Sequence, residues 1–296
     1  MFKSVLIAGG SGFIGRKLGI VMKERGYKVY KLSRRKSNRS SYIEWNPELN
    51  TIDTKKLSKI NIIVNLVGAN IGQKRWTEAR KKELIASRVN TTKFLRTIAE
   101  QMPNLEYYVS VSGINCYGPE SEKVHQESDA FGDDFLSQLV KEWEEASDSF
   151  SDLCPVAKLR SGVVLAKNGG ILKKILFPFR FGLGSAFGTG RQHVPWIHLD
   201  DLCRIFSLAI QYKWEGVFNA IAACTSNKEF SRAIARALRR PFILPNIPSK
   251  LLYFLLGERA VLLVGGTKAS NQKLLGAGFN FQHKTIDSTM RHILRK

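Results

Sequence analysis

The chain lacks the features that would mark several common protein classes. Its four cysteines, Cys116, Cys154, Cys203 and Cys224, lie far apart without a C-x-x-C pair, and no histidine is spaced as a zinc partner. This excludes a disulfide scaffold or zinc ribbon; no metal ligand is assigned, and the cysteines read as reduced, mostly buried thiols of a cytoplasmic protein. No Pro- or Ser-rich linker, low-complexity tract or fixed-period repeat divides the 296 residues, so disorder is excluded too. Long apolar runs are also missing. Ser4-Val5-Leu6-Ile7-Ala8 is too short for a signal peptide and has no cleavage site, and the stretch 251–264 is broken by Gly257-Glu258-Arg259. The chain therefore reads as soluble, without a membrane partner.

Acidic residues are scarce, 25 against 46 basic, which leaves a formal charge of +21. Such a charge raises nucleic acid or an anionic membrane as partners. The lysines and arginines are scattered along the chain, however, so a generally basic surface is the preferred reading and nucleic acid is not expected. The 44% apolar and 24% charged residues suit one large domain, or a dinucleotide domain with a smaller companion. No feature specifies an oligomeric state.

The first third carries the strongest pattern. Residues 3–8 form a short apolar run of the kind a buried parallel strand shows. Gly9-Gly10-Ser11-Gly12-Phe13-Ile14-Gly15 follows, then a helical pattern to about Arg25, a stop at Gly26, and a second strand over 27–32. A glycine turn between a strand and a helix is the setting a dinucleotide motif requires. Gly9 permits the tight turn, Gly12 admits a pyrophosphate to the backbone, and Gly15 lets the helix pack closely on the sheet. The free N–H groups at the helix start, including those of Ser11, Phe13 and Ile14, favour phosphate. The second strand ends in Ser33-Arg34-Arg35-Lys36 without the Asp or Glu that binds ribose hydroxyls in NAD sites. Guanidinium groups suit a 2′-phosphate, which favours NADP(H); the alternative is a solvated basic loop.

Residues 60–66 read as another buried strand leading into Asn65-Leu66-Val67-Gly68-Ala69, and residues 76–100 read as one long helix. From it Arg88 either reaches the cofactor or pairs with Glu83 or Glu78. A strand over 107–112 precedes Gly113-Ile114-Asn115-Cys116-Tyr117-Gly118. Then come Gly132-Asp133-Asp134-Phe135-Leu136, Trp143-Glu144, Arg160-Ser161-Gly162-Val163-Val164-Leu165 and Pro195-Trp196-Ile197-His198-Leu199-Asp200-Asp201. Helices are expected over 200–212 and 227–239, and a strand over 216–221.

The G-x-x-G-x-x-G spacing and the order of these motifs resemble extended short-chain dehydrogenases/reductases. The likeness is strongest to their atypical NAD(P)-dependent epimerase-family subgroup, and it covers nearly the whole chain. The resemblance implies an α/β fold with a doubly wound parallel sheet and a second, smaller, mainly helical domain. The Rossmann unit would span 1–168, completed by 193–221, with the substrate domain at 169–192 and 222–296. It places Leu66, Val67 and Gly68 beside adenine and its ribose, and Val163 in the nicotinamide pocket, with Arg160 structural. It also implies a small hydroxyl- or carbonyl-bearing substrate, among which sugar nucleotides count.

The usual proton relay of that superfamily is absent. After Tyr117 no Y-x-x-x-K occurs, and Phe135 stands near the tyrosine position. Ser112 and Tyr117 are the candidate catalytic hydroxyls in its place, each weighed against a packing role, and Lys141, Glu127 and Asp134 are weaker substitutes. His193 and Trp196 are candidates for substrate contact. At His198 the preferred reading has the acidic pair opening a helix. The sequence thus admits an NADP(H)-dependent enzyme or a non-catalytic NADP(H)-binding sensor.

Overall fold

The computed structural model describes residues 3–36, 38–167 and 169–295; the expected domain bounds at 1, 168 and 296 lie outside them. Strand β1 (Ser4–Ala8) is wholly buried and runs into helix α1 (Phe13–Glu24), which returns the chain to β2 (Lys28–Ser33). Short strands β3 (Tyr42–Asn46) and β4 (Thr51–Ile52) follow, then β5 (Ile62–Asn65). Helices α2 (Glu78–Ala86) and α3 (Val89–Ala99) lead to β6 (Tyr107–Gly113) and β7 (Glu120–His125). Helix α4 (Phe135–Asp148) precedes β8 (Val156–Ser161), β9 (Val163–Ala166) and β10 (Gly169–Gly170).

Helix α5 (Leu172–Arg180), strand β11 (His193–His198), helix α6 (Leu199–Tyr212), strands β12 (Gly216–Ala220) and β13 (Ala223–Ser226) and helix α7 (Asn227–Ala237) continue the chain. The last part holds α8 (Ser249–Leu256), α9 (Val261–Val264), β14 (Gly266–Ala269), α10 (Gln272–Gly276) and α11 (Ile286–Leu294).

Among the described residues the main sheet has eight strands in the order β12-β8-β6-β5-β1-β2-β3-β4. All neighbours are parallel except β3 and β4. The order reverses beside β1, the topological switch point at which an open parallel sheet binds its ligand. Alternate residues of each strand feed different cores. Val5 and Ile7 pack with Leu18, Met22, Leu202 and Phe206 on one face, and Leu6 and Ala8 with Leu95, Ile98 and Phe150 on the other. The doubly wound architecture expected from the sequence is present.

The smaller unit rests on a second sheet, β10-β9-β11-β13, whose strand β11 lies outside the main sheet while β12 lies within it. Leu172, Leu176 and Phe179 of α5 pack there with Trp196, Phe230, Ile234 and Met290. Short strands therefore accompany the helices of this unit, and β14 pairs in parallel with β7.

The single helix expected over 76–100 is two. Ser87 closes α2: its Oγ donates to Leu84 O at 3.0 Å and accepts the Ala69 amide at 3.0 Å. Arg88, at φ −109° and ψ −63°, is the N-cap after which α3 begins. The apolar periodicity continues across the break, which is why the sequence hides it.

Candidate dinucleotide site

Gly9 adopts φ +80°, a left-handed conformation in which a β-carbon would also stand 2.8 Å from Leu66 O. Gly12 caps α1, its amide donating to Gly9 O at 2.9 Å. Gly15 packs against the turn itself, its missing β-carbon pointing at Gly9 O and Gly10 Cα, rather than against the strands as the sequence suggested. The helix start has no side-chain cap and no acidic residue in its first turn. Its N–H groups and the positive end of its dipole are thus left for an external anion. Ser11 is exposed, Phe13 and Ile14 are half-buried, and Arg16 Nη1 fixes the turn by donating to Ser11 O at 3.0 Å.

Positive charge surrounds this turn. The Lys31 stem lies over Gly10, and burial, aided by Lys23 and Arg16, lowers its pKa. At the end of β2, Ser33 Oγ accepts the Arg35 amide at 3.1 Å and donates to Arg35 O at 2.8 Å. This small loop presents Arg34 and Arg35 to solvent, and neither meets a carboxylate among the described residues. Across the switch point, buried Asn65 holds the next wall. Its Nδ2 donates to Thr92 Oγ1 at 2.9 Å and Tyr108 OH at 3.0 Å, and its Oδ1 accepts the Val67 amide at 3.1 Å. Leu66 and Val67 are half-buried and Gly68 is exposed.

Arg88 meets neither expected carboxylate, because Glu83 pairs with Arg80 and Glu78 with Lys81. Its guanidinium donates to Leu84 O at 3.1 Å and Ala69 O at 3.0 Å and lies over the Trp143 ring. A β-carbon at Gly68 would come within 2.9 Å of it. Burial pushes its pKa down to about 10, the mark of a cation without a counter-charge. A turn that a β-carbon would fill, an uncapped helix start and a cationic rim fit a phosphorylated dinucleotide.

The two candidate catalytic hydroxyls are elsewhere engaged. Ser112 is 4% exposed and donates to Glu144 Oε1 at 2.5 Å. Glu144 also takes Arg160 Nε and Nη2, each at 2.9 Å. Arg160 Nη1 donates to Tyr117 OH at 2.9 Å, and Tyr117, 5% exposed, donates to Asn219 Oδ1 at 2.8 Å. Burial, more than any other influence, raises the Tyr117 pKa, the opposite of what a phenol in proton exchange requires. This geometry makes Ser112 and Tyr117 links in a buried polar chain that also holds Arg160. Glu144, legible in the sequence only as part of the Trp143-Glu144 landmark, and Asn219, not singled out there, enter because α4 and β12 bring them in from distant sequence.

The substitutes are also accounted for. Asp134 caps α4 by accepting the Leu136 amide at 2.9 Å, and Glu127 Oε1 accepts the Asn219 amide at 2.8 Å. Lys141 sits on the exposed side of α4. Trp196 is fully buried in the core of the smaller unit. His193 is half-buried at the start of β11, and half-buried Val163 lies opposite Trp196 across the β9–β11 pair. His198 caps α6, its Nδ1 accepting the Asp200 amide at 3.1 Å, and the acidic pair opens the helix. The smaller unit reaches the glycine turn through Gly169, where a β-carbon would collide with the Phe13 ring.

Comparison with known proteins agrees with this geometry. The sequence profile of the NAD dependent epimerase/dehydratase family matches residues 5–135, and that of a domain of unknown function (DUF1731) matches 247–293. The chain is 36% identical over 298 residues to epimerase family protein SDR39U1 of Bos taurus, covering 98% of this chain and 99% of the relative. Epimerase family protein YfhF of Bacillus subtilis is 31% identical over 300 residues, with 98% of each covered. Among solved structures, human SDR39U1 (isoform 2) with NADPH superposes with a TM-score of 0.90 at 34% identity, covering 99% of both chains. The nucleoside-diphosphate sugar epimerase of Corynebacterium glutamicum gives 0.81 at 26% identity, covering 99% of this chain and 58% of that one. The chain belongs to the NAD dependent epimerase/dehydratase family, within the extended short-chain dehydrogenases/reductases, and carries that family's smaller C-terminal domain of the DUF1731 type.

Proposed function

We propose that the chain binds NADP(H) at the glycine turn and acts as an epimerase-like oxidoreductase on a small substrate bearing a hydroxyl or carbonyl group. The observation that carries this reading is the uncapped start of α1 beside an arginine pair, Arg34 and Arg35, where no carboxylate stands. The NADPH in the human relative's structure, at 34% identity, supports the same cofactor.

In this reading the turn 9–15 receives the pyrophosphate, through amides from Ser11 to Gly15, and Arg34 and Arg35 hold the 2′-phosphate, with Ser33 shaping their loop. Leu66, Val67 and Gly68 border adenine and its ribose, Arg88 stiffens that wall, and Val163 borders the nicotinamide amide. Bound nicotinamide would supply or accept the hydride. In this division residues 1–168, completed by α6 and β12 within 193–221, form the cofactor unit, and 169–192 with 222–296 form the substrate unit, whose sheet β11 joins; substrate lies between them at the C-terminal edge of the main sheet. The Corynebacterium relative's description as a nucleoside-diphosphate sugar epimerase makes sugar nucleotides the first class to try. No helix among the described residues is long and apolar enough to cross a membrane. Four free thiols accord with a cytoplasmic, reducing compartment.

One observation favours a second reading, a non-catalytic NADP(H)-binding sensor: Ser112 and Tyr117 are sealed inside the Glu144–Arg160 network. Titration with NADPH and NADH, followed by NADPH consumption against a panel of sugar nucleotides and simple carbonyl compounds, separates these readings. NADPH binding with turnover supports the enzyme. NADPH binding without turnover, and with unequal affinity for NADP⁺, supports the sensor. Absence of NADPH binding defeats both.

A further inference from the structure

Three histidines from distant parts of the chain meet where the C-terminal helix approaches the junction of β11 and α6. His198 ends β11 and caps α6, His283 lies just before α11, and His292 lies in the last turn of α11. Ring centroids are 3.8 Å apart for His198 and His283, 4.9 Å for His283 and His292, and 5.6 Å for His198 and His292. One ring nitrogen from each lies within 4.8 Å of the other two. The cluster grades from buried His198 through half-buried His283 to exposed His292, so it has a protein-held floor and an open mouth.

The surroundings hold these rings in place. Asp201, fully buried, accepts the amides of Gln282 at 3.1 Å and His283 at 2.9 Å, which ties the His283 segment to the first turn of α6. Its Oδ1 also pairs with Arg204 at 2.9 Å. Asp200 lies on the other side, 3.0 Å from Lys17 Nζ and 3.8 Å from His198 Nδ1. Two carboxylates therefore flank three imidazoles in a chain otherwise rich in positive charge.

We propose that His198, His283 and His292 form a binding site for one divalent transition-metal ion, best matched by zinc, which clamps the C-terminal helix to the β11–α6 junction. Imidazole nitrogen is a preferred donor for zinc, copper, nickel and cobalt, whereas calcium and magnesium require oxygen. Three protein nitrogens leave a fourth position for water, reached from the His292 side. Zinc–nitrogen bonds of about 2.0–2.1 Å set ligand nitrogens roughly 3.4 Å apart, so the two outer rings draw inward by about 1 Å. The exposed ring of His292 can swing and the His283 ring can turn about its side-chain bonds, while the His283 backbone stays tied to Asp201 and His198 stays in the core. Burial lowers the His198 pKa to about 4 and that of His283 in the same direction, so these rings are unprotonated at neutral pH.

Coordination through His198 Nε2 places the ring proton on Nδ1. That atom now accepts the Asp200 amide, so binding would exchange this cap bond for one toward the Asp200 carboxylate, at present 3.8 Å away. The proton passes from one ring nitrogen to the other, and none is released from His198.

The test uses the full-length, tag-free chain after chelator treatment. Zinc is titrated by calorimetry, cobalt(II) by its visible absorption, and NADPH in parallel. The proposal expects one zinc per chain, a zinc-dependent rise in Tm, and a cobalt spectrum of low coordination number. His283→Gln and His292→Gln should each weaken zinc binding about tenfold or more while far-UV circular dichroism and NADPH affinity stay unchanged. His198 also packs as a buried ring against the start of α6, so the two outer positions are the decisive ones. No zinc binding, or binding that survives His283→Gln with His292→Gln, overturns the proposal.

Discussion

Glu144 and Arg160 form a two-pronged ion pair, Oε1 to Nε and Oε2 to Nη2 each 2.9 Å, with both side chains almost wholly out of solvent. Helix α4 supplies the acid and strand β8 the base. Their free edges reach Ser112 on one side and Tyr117 on the other, so four elements of the fold meet in one polar knot.

Breaking that pair from one side is expected to leave a buried charge alone. Glu144→Gln should lower unfolding stability by about 3–5 kcal/mol, read from urea transitions. Replacing both, as Glu144→Leu with Arg160→Met, should recover part of the loss. A single variant as stable as the parent would mean that water enters the knot freely.

Tyr117→Phe and Ser112→Ala address the sealed hydroxyls. Tyr117→Phe removes a donor to Asn219 and an acceptor for Arg160 and should cost about 1–3 kcal/mol of stability. NADPH affinity should stay within a fewfold of the parent for both variants. If either variant abolished turnover of an identified substrate while staying folded, its hydroxyl would return to the reaction.

Cofactor choice should follow the loop after β2. Arg34→Ala with Arg35→Ala is expected to weaken NADPH about 10- to 100-fold, the worth of one or two charge-assisted hydrogen bonds, and NADH much less. Competition titrations at one fixed salt concentration would measure this. Equal losses for both cofactors would show that the arginines act only as a general positive field.

Gly9→Ala forces a β-carbon into a left-handed residue and against Leu66 O. The turn must then shift, and loss of NADPH binding is expected to exceed any loss of secondary structure in circular dichroism. Retained affinity would argue that the phosphates sit elsewhere.

Acid should loosen the docking of α11 in metal-free protein. His198 is neutral when folded, its pKa lowered to about 4 chiefly by burial, but takes a proton near 6.5 when unfolded. Between those values the unfolded chain binds more protons, so stability rises with pH and falls on acidification. Urea midpoints with chelator present should drop from neutral pH to about pH 5, and His198→Asn, which can still cap the helix, should flatten the slope. A parent slope no steeper than the variant's would count against this account.

How much of this was legible beforehand depends on sequence distance. The glycine turn, β1, α1 and β2 lie within one short stretch, and spacing alone placed Gly9 in a tight turn and Arg34 and Arg35 at the strand end. The break at Ser87 and Arg88 was hidden because its cause is the loop at Ala69, while apolar periodicity runs through it unbroken. Glu144 and Asn219 read as ordinary helix and strand residues until Arg160 and Tyr117 are seen between them. The histidines were passed over singly for the same reason: nothing in their own neighbourhoods says that His198 and His283 stack.

Phe13 is both the first residue of the helix that follows the glycine turn and the surface on which Gly169 rests. Two positions far apart in the chain therefore share one volume, and neither can change alone. A side chain at 169 is admissible only if the ring at 13 shrinks to make way. Shrinking the ring alone opens a void between the phosphate turn and the unit above it. Mutational drift at this seam must be concerted, and the pair can serve engineers as a single adjustable spacer that sets how closely the smaller domain sits on the turn.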